Sequence, residues 1–232
     1  MLQIKFLSNI SAKTPSTLAG MDARKAQEKI TMKEPYVLSD PEYQKCAEFH
    51  GHVCPGLSIG FRAAKAGLDW LRENRAEDEE LVAIVETDAC GADAIQVLTG
   101  CTFGKGNFLY RDYGKQAFTL FGRKSGRGVR VCLRPGALEP TVRHRQLMER
   151  IRGNEATREE QDEFGRIHQQ KASEILGKPL EDLFTLKEIS QVLPPKARIE
   201  PSKQCQMCGE PAMASKIQIR DGKEICRSCL GG

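Results

Sequence analysis

The sequence predicts an α+β fold, helices packed on a mainly antiparallel sheet, followed by a small zinc-ribbon domain. Leu57, Phe61, Ala64, Leu68 and Leu71 recur at steps of three and four, an apolar stripe that makes residues 55–74 the strongest helix of the chain. LVAIVET at 81–87 and the runs at 116–122 and 128–134 are short and apolar and read as strands. Near the C-terminus, Cys205-x-x-Cys208 and Cys226-x-x-Cys229 stand seventeen residues apart, the spacing of a four-cysteine zinc site. Helices followed by strands, rather than a regular alternation, indicate α+β rather than α/β.

Taken in order, residues 1–34 mix Ser, Thr, Lys and Ala without a period and read as an N-terminal extension, with Met21 and Met32 as alternative starts. The core domain is expected over 35–193. Asp40 is a good N-cap and Pro41 suits a first helical position, so a helix runs to Gly51, and the helix of 55–74 follows almost at once. After the acidic loop Glu77, Asp78, Glu79, Glu80 comes the strand at 81–87, then a short helix at 91–99. The strands at 116–122 and 128–134 form a hairpin across the turn-rich stretch 122–128. A helix is expected over 140–152. Thr157 and Glu160 make a capping box for another, which Gly177 ends and Pro179 keeps from continuing. The segment 194–203, PPKARIEPSK, is stiff and polar and reads as a linker to the ribbon at 204–232. Within the ribbon, Asp221-Gly222 supplies the positive φ angles of a type I′ turn in a hairpin over 216–225.

Composition narrows the class. No apolar run approaches the roughly eighteen residues of a membrane span, so no membrane partner is expected. Ser8, Asn9 and Ser11 interrupt any h-region at the N-terminus. Nine cysteines, four of them in metal spacing, are poorly explained by disulfides, so a reducing cytoplasm is expected. Between Arg111 and Arg152 eleven Lys or Arg face three acids; this reads as a solvated face, with nucleic acid a possible but unfavoured partner.

Four thiolates close a tetrahedron, so Cys205, Cys208, Cys226 and Cys229 are expected to hold a structural zinc that stands in for the ribbon's missing core. A second site is expected in the core. FHGHVCPGLSIG at 49–60 concentrates two histidines and a cysteine at a helix-to-helix junction, with Cys54 at an N-cap where the helix dipole would lower its pKa. TDACGADAIQVLTGCTFGKGN at 87–107 places Cys90 at another helix start and Cys101 after that helix. His50, His52, Cys54, Cys90 and Cys101 are therefore candidate ligands of a second divalent metal, expected to be zinc, with Asp93, Gln96, Thr102 and Lys105 lining the cleft. His52, in the loop, can turn toward the ion of Cys54 more easily than His50. Cys46 and Cys132 read as small buried hydrophobes, and His144 and His168 as solvent-facing helical residues. Gly100, Gly104 and Gly106 lack the Walker spacing, so nucleotide binding is not expected.

The stretches FHGHVCPGLSIGFRAA and ETDACGADAIQVLTGCTFGKGN, continued by DYGKQAFTLF at 112–121, resemble the E-subunit family of formylmethanofuran dehydrogenase, in its longer form with a trailing four-cysteine ribbon. The resemblance covers about residues 40–190. It implies an α+β core that forms a homodimer, a His/Cys metal or thiol site, and genetic association with the molybdenum or tungsten enzyme of methanogenesis that reduces carbon dioxide onto methanofuran. The family motif falls on His50, His52, Cys54, Pro55 and Gly56, and on Cys90, Asp93, Gln96, Cys101, Thr102 and Lys105. It does not imply that this chain performs that reaction, because the multiple four-cysteine runs of iron–sulfur electron transfer are missing.

Three functions follow as expectations, and whether the chain is an enzyme stays open among them. The first is an accessory metal-binding protein whose ribbon docks a protein partner. The second is a thiol-based redox enzyme with Cys54 as catalytic nucleophile and Cys90 or Cys101 resolving it. The third is a nucleic-acid-binding, metal-responsive regulator, whose affinity would fall steeply with salt.

Overall fold

The computed structural model describes residues 38–190 and 193–231; the expected N-terminal extension lies outside them. Helix α1 (Pro41–His50) starts at Asp40, whose carboxylate accepts from the N–H groups of Glu42 (2.7 Å) and Tyr43 (3.3 Å), and stops at Gly51 with φ 91°. Helix α2 (Pro55–Leu71) buries Leu57, Ile59, Phe61 and Ala64 on its apolar face. Tyr43 seats α1 on α2: its hydroxyl bonds Ser58 at 2.8 Å and its ring meets Phe61 edge-on at 5.1 Å.

Five strands follow the order β2-β1-β3-β4-β5, namely β1 (Leu81–Val85), β2 (Phe108–Tyr110), β3 (Ala117–Gly122), β4 (Gly128–Leu133) and β5 (Phe184–Glu188). Only the β1–β2 pair is parallel, so the sheet is mainly antiparallel, as the fold class requires. Every residue of β1 is buried because both faces are covered. Leu81, Ala83 and Val85 join the core under the helices, while Val82 and Ile84 pack with Phe121 against Leu109, Ile189 and Leu193 on the other side.

Helix α3 (Gly91–Thr99) lies beside α2 and ends at Gly100, where φ is 70° and an added Cβ would stand 2.3 Å from the Ala76 carbonyl oxygen. Helix α4 (Val142–Arg152) starts at Thr141, and α5 (Arg158–Gly177) carries both halves of the Thr157/Glu160 capping box. Buried Arg62 of α2 donates to the carbonyl oxygens of Ile175 (3.0 Å) and Leu176, satisfying the orphan acceptors at the end of α5 and fixing that helix on α2. A four-residue helix, α6 (Leu180–Leu183), leads into β5.

The segment after β5 is held to the core. Arg123 donates to the carbonyl oxygens of Pro194 (2.7 Å) and Pro195 (3.2 Å), and the N–H of Ala197 reaches Glu79 at 3.3 Å. The ribbon comprises two hairpins, β6 (Ser202–Gln204) with β7 (Pro211–Met213) and β8 (Ile217–Arg220) with β9 (Lys223–Cys226). Asp221 (φ 51°) and Gly222 (φ 75°) form the tip of the second, as a type I′ turn demands. Among the described residues no helix is long and apolar enough to cross a membrane.

Candidate metal centre

Two helix N-termini meet in the core. Cys54 caps α2, its sulfur accepting from the N–H of Leu57 at 3.4 Å, and Cys90 occupies the N-cap position of α3. Glycines permit the meeting. A Cβ on Gly60 would lie 2.2 Å from the Gly91 carbonyl oxygen, and one on Gly56 would lie 3.1 Å from Cys90 Cβ and 3.9 Å from Cys54 Sγ. The two helices approach this closely only because both positions lack a side chain.

His50, the last residue of α1, points Nε2 at Cys54 Sγ, 3.8 Å away, and its Nδ1 lies 2.7 Å from a carboxylate oxygen of Asp93 on α3. The donor atoms of His50, Cys54 and Cys90 all lie within 4.8 Å of one another. A sulfur and an imidazole nitrogen bound to one tetrahedral zinc at about 2.3 and 2.0–2.1 Å stand roughly 3.6 Å apart, close to the spacing here, so the donors fit such an ion. Asp93 orients the imidazole with Nε2 toward the sulfurs, the outer partner that metal-binding histidines require.

The remaining expected residues lie elsewhere. His52 is exposed and stacks on His50, ring centroids 4.4 Å apart, without joining the three donors, so the preference for His52 over His50 is corrected: His50 is anchored by Asp93, whereas the loop histidine has no such hold. Cys101 is fully buried beyond the opposite end of α3 from Cys90; at about 1.5 Å per residue, a nine-residue helix keeps the two some 15 Å apart. Gln96 and Thr102 line a separate cleft of about 440 Å³ with Glu42, Lys45, Phe49 and Arg75. Lys105 donates to the carbonyl oxygens of Glu77 (3.3 Å) and Asp78 (3.1 Å).

The Cys54 thiol also departs from expectation. Burial pushes it up to about 11, with the Leu57 N–H opposing and the neighbouring Cys90 adding to the rise. Desolvation outweighs the helix dipole here, so the metal-free thiol stays protonated near neutral pH. Cys46 is fully buried, and Cys132 half-buried. His144, expected in solvent, is 6% exposed, and His168 is half-buried beside it.

In the ribbon, the sulfurs of Cys205, Cys208, Cys226 and Cys229 lie within 4.8 Å of one another. Cys208 and Cys226 are 3.9 Å apart, against about 3.8 Å for two sulfurs on one tetrahedral zinc. The N–H groups of Met207 (3.4 Å) and Cys226 (3.3 Å) point at Cys205 Sγ, and backbone N–H groups, those of Cys208 and Cys226 foremost, hold that thiol down at about 6. The cluster fits a zinc ribbon. The basic stretch 111–152 does not form one free patch, since Arg130 pairs with Glu86 through two 2.7 Å bonds, Arg143 with Glu163, Arg150 with Glu160, and Arg123 holds the proline carbonyls.

Comparison with known proteins agrees with this arrangement. A relative from Archaeoglobus fulgidus, described as a probable S-adenosyl-L-methionine-binding protein, is 33% identical over 198 residues, covering 81% of this chain and 52% of its own. The chain thus spans about half the length of that relative. The crystal structure of an FmdE-like protein of tungsten formylmethanofuran dehydrogenase from Syntrophus aciditrophicus superimposes with a TM-score of 0.56 at 27% identity, covering 87% of this chain and 98% of that one. The model of the family described as FmdE, molybdenum formylmethanofuran dehydrogenase operon, matches residues 49–185, more than half of the chain and all of the core donors, and the chain belongs to this family.

Proposed function

We propose that the chain is an accessory metalloprotein of formylmethanofuran dehydrogenase or related molybdenum–tungsten C1 metabolism, working as a cytoplasmic homodimer. Its core binds a divalent ion, zinc, through His50, Cys54 and Cys90, and its ribbon holds a structural zinc and docks a protein partner. The observation that carries this reading is the convergence of three donors with the histidine already oriented by Asp93. Three protein donors leave one tetrahedral position for water or an incoming ligand, so the ion can be presented or exchanged rather than sealed in. Family membership ties the chain to the dehydrogenase operon. The thiol-enzyme alternative is weakened by the protonated Cys54, and the nucleic-acid alternative by the ion-paired arginines.

The test is elemental analysis of full-length protein purified under reducing conditions. The reading expects two zinc ions per chain, one of them lost in Cys54→Ser/Cys90→Ser and the other in Cys205→Ser/Cys208→Ser. A wild-type chain with one ion, unaffected by the core substitutions, overturns it.

A second reading comes from the cleft between α1 and α3. Its volume of about 440 Å³ suits a small ligand, and Phe49, Lys45 and Arg75 offer a ring and two cations. With a relative described as a probable S-adenosyl-L-methionine-binding protein, S-adenosylmethionine is the compound to titrate. Calorimetric binding that disappears in Phe49→Ala would establish this reading, and the absence of heat at millimolar ligand would remove it.

A further inference from the structure

The four histidines of this chain lie in one file. His50 stacks on His52 at 4.4 Å, His52 stands within electrostatic range of His168, and His168 meets His144 at 5.1 Å with the rings nearly perpendicular, at 89°. The far end of the file is anomalous. His144 is 94% buried, and neither of its ring nitrogens has a hydrogen-bond partner. A buried polar group of this kind is rare and calls for an ion or a water. Aromatic packing alone is an incomplete account. Phe164 does touch both rings, at 5.6 Å and 3.9 Å, but a phenylalanine at 144 would pack there without leaving two nitrogens orphaned.

The separation has a second meaning. Two imidazoles bound to one tetrahedral ion at about 2.0–2.1 Å place their ring centroids roughly 5.2 Å apart, which is the His144–His168 spacing. Burial lowers the proton affinity of both rings, favouring the neutral form a metal needs. We propose that His144 and His168 bind a divalent transition-metal ion in the seam between α4 and α5, a labile loading site for the His50/Cys54/Cys90 centre. Two protein donors leave the other positions to water, so the ion exchanges readily, and imidazole donors suit zinc, nickel or copper(II). His52 lies between this site and His50 and is the relay. The loading role rests on the core-site reading given above; binding at the seam does not.

The experiment uses the full chain with its cysteine sites already zinc-loaded, titrated with further zinc alone. Calorimetry counts the added ions, and ring-nitrogen NMR reads the four histidines separately. The expected result is one further ion per chain, with the His144 and His168 ring nitrogens shifting together. His144→Phe, which keeps the ring contact with Phe164, should weaken that ion by more than the roughly 10- to 100-fold that loss of an outer-shell partner costs. His168→Gln is measured in parallel, so that misfolding of one variant does not decide the matter. Extra zinc that shifts only exposed His52, or that binds equally to both variants, overturns the proposal. In a Cys54→Ser/Cys90→Ser chain the His144/His168 response should persist. Its disappearance there would refute an independent seam site, whereas its persistence with no core metal in the wild type would refute only the core reading.

Discussion

The closeness of α2 and α3 makes Gly60→Ala the sharpest perturbation of the core site. The new methyl carbon would start 2.2 Å from the Gly91 carbonyl oxygen, 2.5 Å from Gly91 Cα and 2.6 Å from its carbonyl carbon. All three are backbone atoms, so no rotamer change relieves them. Restoring ordinary contact at 3.4 Å moves the start of α3 by about 1.2 Å, and Cys90, one residue upstream of Gly91, moves with it. Metal sites tolerate departures of only about 0.2 Å in ligand distance, so the core ion should be lost or bound far more weakly. The backbone shift itself should cost about 1–3 kcal/mol, and at 3 kcal/mol a domain of this size loses roughly 6–12 °C of Tm. Differential scanning calorimetry of the zinc-loaded protein, with metal counted by elemental analysis, reads both effects. The ribbon ion should remain. Gly165→Ala, where nothing lies within 4 Å of the added carbon, is the control and should be neutral or stabilising by about 0.4–1 kcal/mol. Gly60→Ala with wild-type Tm and metal content would refute the claim that glycine contact sets the Cys54–Cys90 geometry.

Four further outcomes are expected. Asp93→Asn should leave the fold intact and lower core zinc affinity by roughly 10- to 100-fold, measured by competition with a chromophoric chelator, because the carboxylate only orients His50. Strong chelation should unfold the ribbon before the core domain, visible as early loss of amide protection over 204–231, since the ribbon's buried apolar cluster is only Cys205, Ile225 and Cys226. Burial pushes the Cys46 thiol up to about 12 from an ordinary 9.0, so the folded state holds its proton more tightly than the unfolded state. That contribution is fully present below pH 9 and is lost as pH rises toward 12, and Cys46→Ala should flatten the alkaline fall in denaturant midpoint between those values. Cys54 in metal-free protein should alkylate slowly at pH 7, where a thiol at about 11 is only about one part in 10⁴ thiolate, and its rate should still be rising at pH 10; a plateau by pH 8 would revive the thiol-enzyme reading.

What the sequence made legible is local chemistry. Asp40, Thr157 and Asp221-Gly222 announce their caps and turn because each acts on backbone groups two or three residues away. β2 and β5 escaped for the same reason: Phe108–Tyr110 is three residues long, and Phe184–Glu188 mixes apolar and charged residues at a sheet edge, so neither has a pattern of its own. In the core site, clustering of His and Cys was visible, but which histidine faces the sulfurs depends on Asp93, forty-three residues away. Cys101 is a different case. Its exclusion from the site follows from helix rise alone, because it lies past the far end of the helix that Cys90 begins. His144 likewise carried a signal, since Leu147 and Ile151 follow it at helical steps and share its face, which makes it an inward residue. The dipole argument for Cys54 was sound as far as it went, and burial, a tertiary quantity, reversed it.

The two cysteine-bearing sites answer different electrostatic demands. At the core, two thiolates and a neutral imidazole balance a divalent ion, so the loaded centre carries no net charge and can sit among Cys54, Leu57 and Gly91 without the cost of a buried ion. Asp93, which supplies the outer charge, is half-exposed and keeps its carboxylate in contact with water. At the ribbon, four thiolates on a divalent ion leave an excess of negative charge, and the chain keeps that centre in a thin, mostly exposed module where backbone N–H groups and solvent share the load. A closed, charged site serves as a staple and needs no opening. A neutral site with a free position, reached by a file of histidines, has the properties of a place where an ion is received and passed on.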